Sequence, residues 1–279
     1  MSEIMLQQTR VVAVIAPYRE FLRRFPTVRS LARAREEDVL AAWSGLGYYR
    51  RARYLHRAAK QVVDSYQGRM PRTAAELRQL PGIGRYTGAA IASIAFKEPV
   101  AVVDGNVQRV LARLLNRPLS AAQVWEMAEA LLSPARPGDF NQAMMELGAT
   151  ICTPANPDCP ACPLRGLCAT RGVHPTAPQP PRKKALLSFA LDTRNGLVRL
   201  VQRPRSLSVM PGMWELPATV LNGRKPAFRL RHAIMNTDYQ VHVFRVPVTK
   251  GKWVARARLS QIPLTGLARK VLRRAAFMS

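Results

Sequence analysis

The sequence predicts two domains of different class, a large, mainly α N-terminal domain and a smaller α+β C-terminal one. Three observations carry this: apolar residues recur at helical spacing as far as about Thr150, a proline-rich basic segment without periodicity runs from Ala169 to Lys184, and short strand-like apolar runs follow it. At 279 residues the chain is long enough to bury two cores.

Helical spacing is explicit in Val39, Leu40 and Trp43, in Leu55, Ala58, Ala59 and Val62, and in Val107, Val110, Leu111, Leu114 and Leu115. Turns marked by glycine or proline divide these runs at Phe25-Pro26, Gly45-Leu46-Gly47, Gly68, Pro81-Gly82, Pro99 and Pro118. The proline-rich stretch reads as a semi-extended linker, which sets expected boundaries of 1–168 for the first domain, 169–185 for the linker and 186–279 for the second domain. In that second domain strands are expected at Leu186 to Leu191, Leu197 to Gln202 and Tyr239 to Val248, with a helix from Leu264 to Ala276. No internal repeat is present.

Lysine and arginine total 43 against 17 acidic residues, a formal charge of +26, and most of the cations are arginine. Such an excess fits a polyanionic partner, with nucleic acid first, although an arginine-rich composition alone would produce part of it. Glu3 and Arg10 flank a short apolar stretch with no cleavage site after it, so no signal peptide is expected, and no apolar run reaches membrane-spanning length. A cytoplasmic protein follows, and in a reducing compartment clustered cysteines read as metal ligands rather than disulfides.

All four cysteines, Cys152, Cys159, Cys162 and Cys168, are spaced C-x6-C-x2-C-x5-C and interleaved with Pro154, Pro157, Pro160 and Pro163. Four thiolates from one short loop can wrap a [4Fe-4S] cluster, and prolines lower the entropy of holding the loop. A four-thiolate zinc site is the alternative, for which two C-x2-C pairs are usual and one is present. The adjacent Arg165 and Arg171 give the loop a basic surface suited to phosphates, so a structural role for the cluster is expected.

Leu80-Pro81-Gly82-Ile83-Gly84-Arg85-Tyr86-Thr87-Gly88 lies between a helix expected at Ala74 to Gln79 and an apolar one at Ala89 to Phe96. Gly82 and Gly84 would let backbone N–H groups at the second helix's start approach a phosphate, though most isolated G-x-G turns are only connectors. Further on, Val102-Val103-Asp104-Gly105-Asn106-Val107-Gln108-Arg109 places Asp104 just ahead of an apolar helix, where it would also serve as N-cap.

The pairing of this hairpin with V-D-G-N-V-x-R-V resembles the helix-hairpin-helix glycosylases, in which the aspartate lies in the base pocket. Ser2-Glu3-Ile4-Met5-Leu6-Gln7-Gln8-Thr9, Trp43-Ser44-Gly45-Leu46-Gly47-Tyr48-Tyr49-Arg50-Arg51-Ala52-Arg53 and Asn141-Gln142-Ala143-Met144-Met145-Glu146-Leu147-Gly148 resemble motifs of the adenine DNA glycosylases within that superfamily. The resemblance is dense from Ser2 to Cys168. It implies a helix-hairpin-helix glycosylase domain with a [4Fe-4S] loop, acting on double-stranded DNA as a monomer and removing adenine mispaired with 8-oxoguanine or guanine. The sister endonuclease III family carries a lysine nucleophile where Tyr86 stands; tyrosine cannot form a Schiff base, so a monofunctional glycosylase leaving an abasic site is implied rather than a lyase.

By the same resemblance Glu3 is the acid that protonates adenine N7 and Asp104 the carboxylate that stabilises the oxocarbenium-like state, with Asn106 orienting Asp104. Glu3 must then titrate high, which its apolar neighbours would bring about; read without the motif it is a first-turn glutamate. Gln7, Gln8, Leu46, Tyr48, Gly82, Gly84, Tyr86 and Thr87 are the implied DNA contacts, with Gln8 and Tyr48 as wedges beside the extruded nucleotide; Tyr49 also reads as a core aromatic. Pro211-Gly212-Met213-Trp214-Glu215-Leu216-Pro217 resembles the start of a Nudix-like lesion-recognition domain. After the linker only Asp192, Glu215 and Asp238 are acidic, too few for a Nudix metal site. The family's usual Phe-Ser-His loop is replaced around Arg231 to Asn236, leaving His232, Met235 and Asn236 as candidate lesion contacts, His232 being also a candidate core histidine. The family's usual segment ahead of the glutamate, about two helices of ordinary length, is absent from this sequence, so either a misassigned start or a truncated, catalytically impaired DNA-damage binder is the alternative.

Overall fold

The computed structural model describes residues 1–9, 11–172, 181–221 and 223–278, gathered into two compact units. One holds Met1, Glu3 and the described residues of 61–178; the other holds Ser2, 4–60 and the described residues of 179–279. The middle of the expected linker, 173–180, lies outside the described residues. In chain order the helices are α1 (Ser2–Leu6), α2 (Val11–Arg24), α3 (Val28–Arg33), α4 (Glu36–Ala42), α5 (Arg50–Tyr66), α6 (Ala74–Leu77), α7 (Arg85–Phe96), α8 (Gly105–Leu114), α9 (Ala121–Leu131), α10 (Pro137–Glu146) and α11 (Gly266–Arg274). The strands are β1 (Lys183–Ala190), β2 (Thr193–Arg194), β3 (Leu197–Gln202), β4 (Trp214–Glu215), β5 (Phe228–Ile234), β6 (Thr237–Phe244) and β7 (Lys252–Ala255). No helix among the described residues is long and apolar enough to cross a membrane.

In the first unit, capping boxes start α6 and α9: Thr73 with Glu76, and Ser120 with Gln123, each satisfy orphan N–H groups reciprocally. α7 packs on α6 and α10, and the small residues it buries, Ala89, Ala90, Ala92 and Ser93, let its neighbours come close. Val107, Val110 and Leu111 of α8 meet Val124 and Ala128 of α9 and Met144 of α10 in one core, each large aliphatic contributing roughly 1.5–3 kcal/mol by burial. α10 opens on Pro137, where the missing N–H costs nothing, and runs into a single π-helical turn, Leu147–Ile151.

In the second unit α2 packs on α4, with Phe21 edge-on to Trp43 at a centroid separation of 5.9 Å. The three-stranded sheet has the order β1-β6-β5, β1 parallel and β5 antiparallel to β6. β3 pairs antiparallel with β2, β4 and β7. Val241 and Val243 of β6, Val198 and Leu200 of β3, and Leu267, Ala268, Val271 and Leu272 of α11 form its core.

Several expected boundaries move. The hairpin's second helix starts at Arg85 rather than Ala89, because Gly84 is its N-cap, and the first ends at Leu77. The strand expected at Tyr239 to Val248 is β6, which stops at Phe244, three residues short of Pro247, a residue that cannot donate to a ladder. β1 begins at Lys183 because it pairs from there with Thr237. α11 spans Gly266–Arg274, capped by Thr265, whose hydroxyl accepts from Ala268 N. β5 was not anticipated: its half-buried Phe228, Leu230, His232 and Ile234 alternate with exposed Arg229, Arg231 and Ala233.

Candidate active site and cluster loop

Gly82 adopts a φ of +81°, in the left-handed region that favours glycine, and turns the chain into α7. Gly84 offers no side chain to cap that helix, so the first-turn N–H groups of α7 receive no side-chain cap. Tyr86 lies half-buried on this turn, its hydroxyl donating to Met145 Sδ at 3.5 Å. Burial, and then the carboxylates of Glu3 and Asp104, push its phenol up to about 12. Two acids far apart in sequence thus both act on one phenol, and all three residues belong to the same compact unit.

Asp104 is the N-cap of α8. Its Oδ1 accepts from the backbone N–H groups of Asn106 and Val107, each at 2.8 Å, and its Oδ2 from Asn106 Nδ2 at 2.9 Å. Capping therefore fixes the carboxylate's orientation without removing it from the site. Glu3 is half-buried on α1, and burial holds its carboxyl above the ordinary carboxylate range, the Met1 amine opposing in part.

The Asp104–Asn106 pair is braced from behind. Arg109 Nη2 donates to Asn106 Oδ1 at 2.7 Å and to the Gly148 carbonyl at 2.5 Å, while its Nε donates to the Cys152 carbonyl at 2.8 Å. Arg113 continues the chain: Nη1 donates to Cys152 Sγ at 3.2 Å and to the Thr153 carbonyl at 2.8 Å, and Nη2 to the Pro154 carbonyl at 2.9 Å. A continuous run of charge-assisted hydrogen bonds thus joins Asp104 to the cysteine loop. Asn141, 2 % exposed, is fully used in place: Oδ1 accepts from Val102 N at 3.0 Å and Nδ2 donates to Ser93 Oγ and the Val100 carbonyl. It fixes the segment leading to Asp104.

Cys152, Cys159, Cys162 and Cys168 line one concavity together with Arg113, Arg165 and Arg171. All four are free thiols of intermediate exposure. Among the described residues no group of three or more His, Cys, Asp or Glu side chains is drawn together around a point that would hold a single metal ion. The donor chemistry suits a thiolate-held group, with guanidinium charge beside the sulfurs to offset theirs.

In the second unit Gln8 and Tyr48 both adopt left-handed backbone, φ +53° and +46°, and Tyr48 is 50 % exposed. Arg51 is buried, and both of its terminal nitrogens are engaged while its Nε has no hydrogen-bond partner. Nη1 donates to the carbonyls of Ile4, Met5 and Gln7, and Nη2 to Thr9 Oγ1 and the Leu46 carbonyl. Its guanidinium also lies over the Trp43 and Tyr48 rings, 5.4 Å from each centroid. Burial lowers its pKa to about 10, still charged at neutral pH. Tyr49 is a core residue, donating to the Leu264 carbonyl at 3.0 Å, and Ser44 Oγ donates to the same oxygen at 3.1 Å. Of the expected DNA contacts, Leu46, 6 % exposed, and Thr87, 3 % exposed on the packed side of α7, have their side chains in the interior, so only their backbones are available to a DNA strand.

Met235 and Asn236 form the two-residue tip between β5 and β6, Met235 at φ +51° and 72 % exposed. His232 is elsewhere, on the packed face of β5 against Gly266 at the start of α11, and burial, then Lys270, lowers its pKa. Arg51, Arg109, Arg113 and Asn141 carry structural roles that sequence reading did not assign. Arg51, Arg109 and Asn141 lay inside the quoted motifs, but in a chain of charge +26 an arginine reads by default as a phosphate contact.

A family profile described as HhH-GPD superfamily base excision DNA repair protein matches residues 1–135. A solved thermostable thymine-DNA glycosylase is 31 % identical with a TM-score of 0.57, covering 61 % of this chain and 81 % of that one. The trapped endonuclease III–DNA covalent intermediate is 26 % identical with a TM-score of 0.55, over 60 % of this chain and 80 % of that one. The chain belongs to the HhH-GPD superfamily of base excision DNA repair proteins, with a mainly helical N-terminal part and a smaller sheet-containing C-terminal part. Within that class it is similar to adenine DNA glycosylase, 38 % identical to the Homo sapiens protein over 306 aligned positions, which span 89 % of this chain and 55 % of that protein. The chain spans about half the length of the curated relatives it matches.

Proposed function

We propose that this chain is a monofunctional adenine DNA glycosylase of base excision repair, hydrolysing the N-glycosidic bond of adenine opposite 8-oxoguanine or guanine in double-stranded DNA. The observation that carries the reading is that one compact unit holds Glu3, its carboxyl raised by burial, and the N-capping Asp104, both acting on the Tyr86 phenol. Departure of adenine needs a proton on the base and negative charge beside the sugar. Glu3, its carboxyl held above the ordinary range by burial, gives a proton to adenine N7; Asp104, held by Asn106 and two backbone N–H groups, faces the oxocarbenium-like centre. Tyr86 offers no amine, so the sugar is released as an abasic site rather than trapped as a Schiff base.

The target nucleotide leaves the stack at an unstacking cost of a few kcal/mol. Exposed Tyr48, with Gln8, offsets this as a wedge, and the uncapped start of α7 binds a backbone phosphate. Cys152, Cys159, Cys162 and Cys168 would hold a [4Fe-4S] cluster, which when bound supplies rigidity to the basic loop. One C-x2-C pair within C-x6-C-x2-C-x5-C, all four cysteines lining one concavity, suits a cluster better than a four-thiolate zinc site, for which two such pairs are usual. Residues 186–279 form the Nudix-like lesion-recognition domain, with Met235 and Asn236 presented at its tip, and 1–168 the glycosylase domain. The protein acts as a cytoplasmic, nucleoid-associated monomer.

Single-turnover reactions on duplexes carrying adenine opposite 8-oxoguanine, with and without alkali, test this. Breaks only after alkali support the reading; breaks without alkali would mean a lyase, and tight binding with no breaks a catalytically impaired damage binder.

A further inference from the structure

Arg85 is the first residue of α7, directly after Gly84, where a cation beside the helix's phosphate-binding N–H groups would ordinarily be read as a phosphate ligand. Its side chain is committed elsewhere. The guanidinium carbon stands over the Trp125 ring of α9, 3.7 Å from its centroid, the shortest such cation–aromatic contact among the described residues, with about half of the Arg85 side chain still exposed. Nη2 also pairs with Glu129 Oε1 at 3.3 Å, one helical turn further along the same helix. We propose that Arg85 is a positioning residue: it clasps the hairpin to α9 through Trp125 and neutralises Glu129, so that no bare carboxylate stands beside an incoming phosphate. This rests on the reading of the hairpin as a DNA contact.

The chemistry separates this role from direct phosphate binding. A phosphate needs only a point charge, which lysine supplies, whereas stacking on indole needs the planar guanidinium. The probe is a duplex without any mispair, and the readout is affinity against salt concentration for the full chain. If Arg85 clasps, Arg85→Lys and Arg85→Ala both weaken binding about tenfold with the salt slope unchanged. Trp125→Leu then reproduces the loss, Trp125→Phe largely restores affinity, and the Arg85→Ala/Trp125→Leu double variant is no weaker than either single one. Adding Glu129→Gln to Arg85→Ala recovers part of the affinity, a rescue that lost packing alone would not give. If Arg85 binds phosphate directly, Arg85→Lys behaves as the parent, Arg85→Ala reduces the salt slope by about one and Trp125→Leu is silent; that pattern overturns the proposal, as does binding unchanged in every variant. Should Trp125→Leu fail to fold, the Arg85→Lys and Glu129→Gln comparisons decide alone. None of these measurements depends on adenine release, so the clasp and the glycosylase reading fail separately.

Discussion

Gly148 sits in the π-helical turn after α10, against the backbone and Cβ of Asn106. A methyl group there would stand 2.6 Å from Asn106 Cβ and 2.9 Å from its carbonyl oxygen, where ordinary contact begins at 3.4 Å. Gly148→Ala must therefore push the turn and the start of α8 apart by about 0.8 Å at the tightest point. Asn106 cannot retreat freely, because it donates to Asp104 at 2.9 Å and accepts from Arg109 at 2.7 Å, and Arg109 is itself bonded to the Gly148 carbonyl. Overpacking of this kind costs roughly 1–3 kcal/mol of stability, and a misplacement approaching 1 Å at a catalytic carboxylate costs on the order of 100-fold in rate. We expect Gly148→Ala to remain folded, with a lowered unfolding temperature, and to release adenine about 100-fold more slowly in single-turnover reactions while duplex affinity changes far less. Full single-turnover rate in a folded Gly148→Ala protein would refute the claim that Asn106 positions Asp104.

Glu3→Gln removes the proton donor and should abolish adenine release. Because burial raises the Glu3 pKa in the folded state, the native form holds its proton at pH values where the unfolded chain has lost it; Glu3 therefore costs stability increasingly as pH rises from its unfolded pKa to its folded one. Chemical denaturation should accordingly find Glu3→Gln gaining stability over the parent at neutral pH, the gain vanishing below the ordinary carboxylate pKa, and the parent's single-turnover rate should fall as pH rises through the folded value. Tyr86→Lys puts an amine beside the sugar, and borohydride trapping should then capture a protein–DNA adduct that the parent does not form. Asn141→Leu strands the buried Val102 N–H and Val100 carbonyl, so urea unfolding should show a loss of roughly 1–3 kcal/mol, with a slower single-turnover rate from the loosened approach to Asp104. Anaerobically purified protein should contain iron and acid-labile sulfide, and Cys159→Ser should lose both; a parent protein holding zinc instead would sink the cluster assignment.

Much of the helical unit was legible because its signals are local. A two-residue glycine spacing and an aspartate before an apolar helix each state their own geometry. What escaped depends on residues distant in sequence. Asn141 has no local partner among its helix neighbours, and its role exists only because Val100, Val102 and Ser93 come to it. Arg51 likewise gathers carbonyls from the chain's first residues, about forty positions away. β5 was missed for another reason: its outward arginines interrupt the apolar run that marks a strand, although the alternation beneath them is regular. His232 falls on the inward phase of that alternation, which is why the structure places it in packing rather than at the tip.

The single carbonyl of Leu264 accepts from both Ser44 and Tyr49, and Arg53 reaches the Pro211 carbonyl at 2.6 Å. The loop bearing Tyr48 and the helix after it are thus hung on main-chain atoms 158 to 220 residues downstream. Main-chain acceptors are insensitive to side-chain identity, so the anchorage itself does not depend on which side chains stand at 264 and 211, although Leu264 is held in place as a buried core residue. Deleting the chain from Pro211 onward would be a different matter: it would leave the Tyr49 and Ser44 hydroxyls seeking water in a formerly dry place. For this protein, exchanging the C-terminal portion for that of a relative should therefore be tolerated only when the graft supplies carbonyls at the same two places.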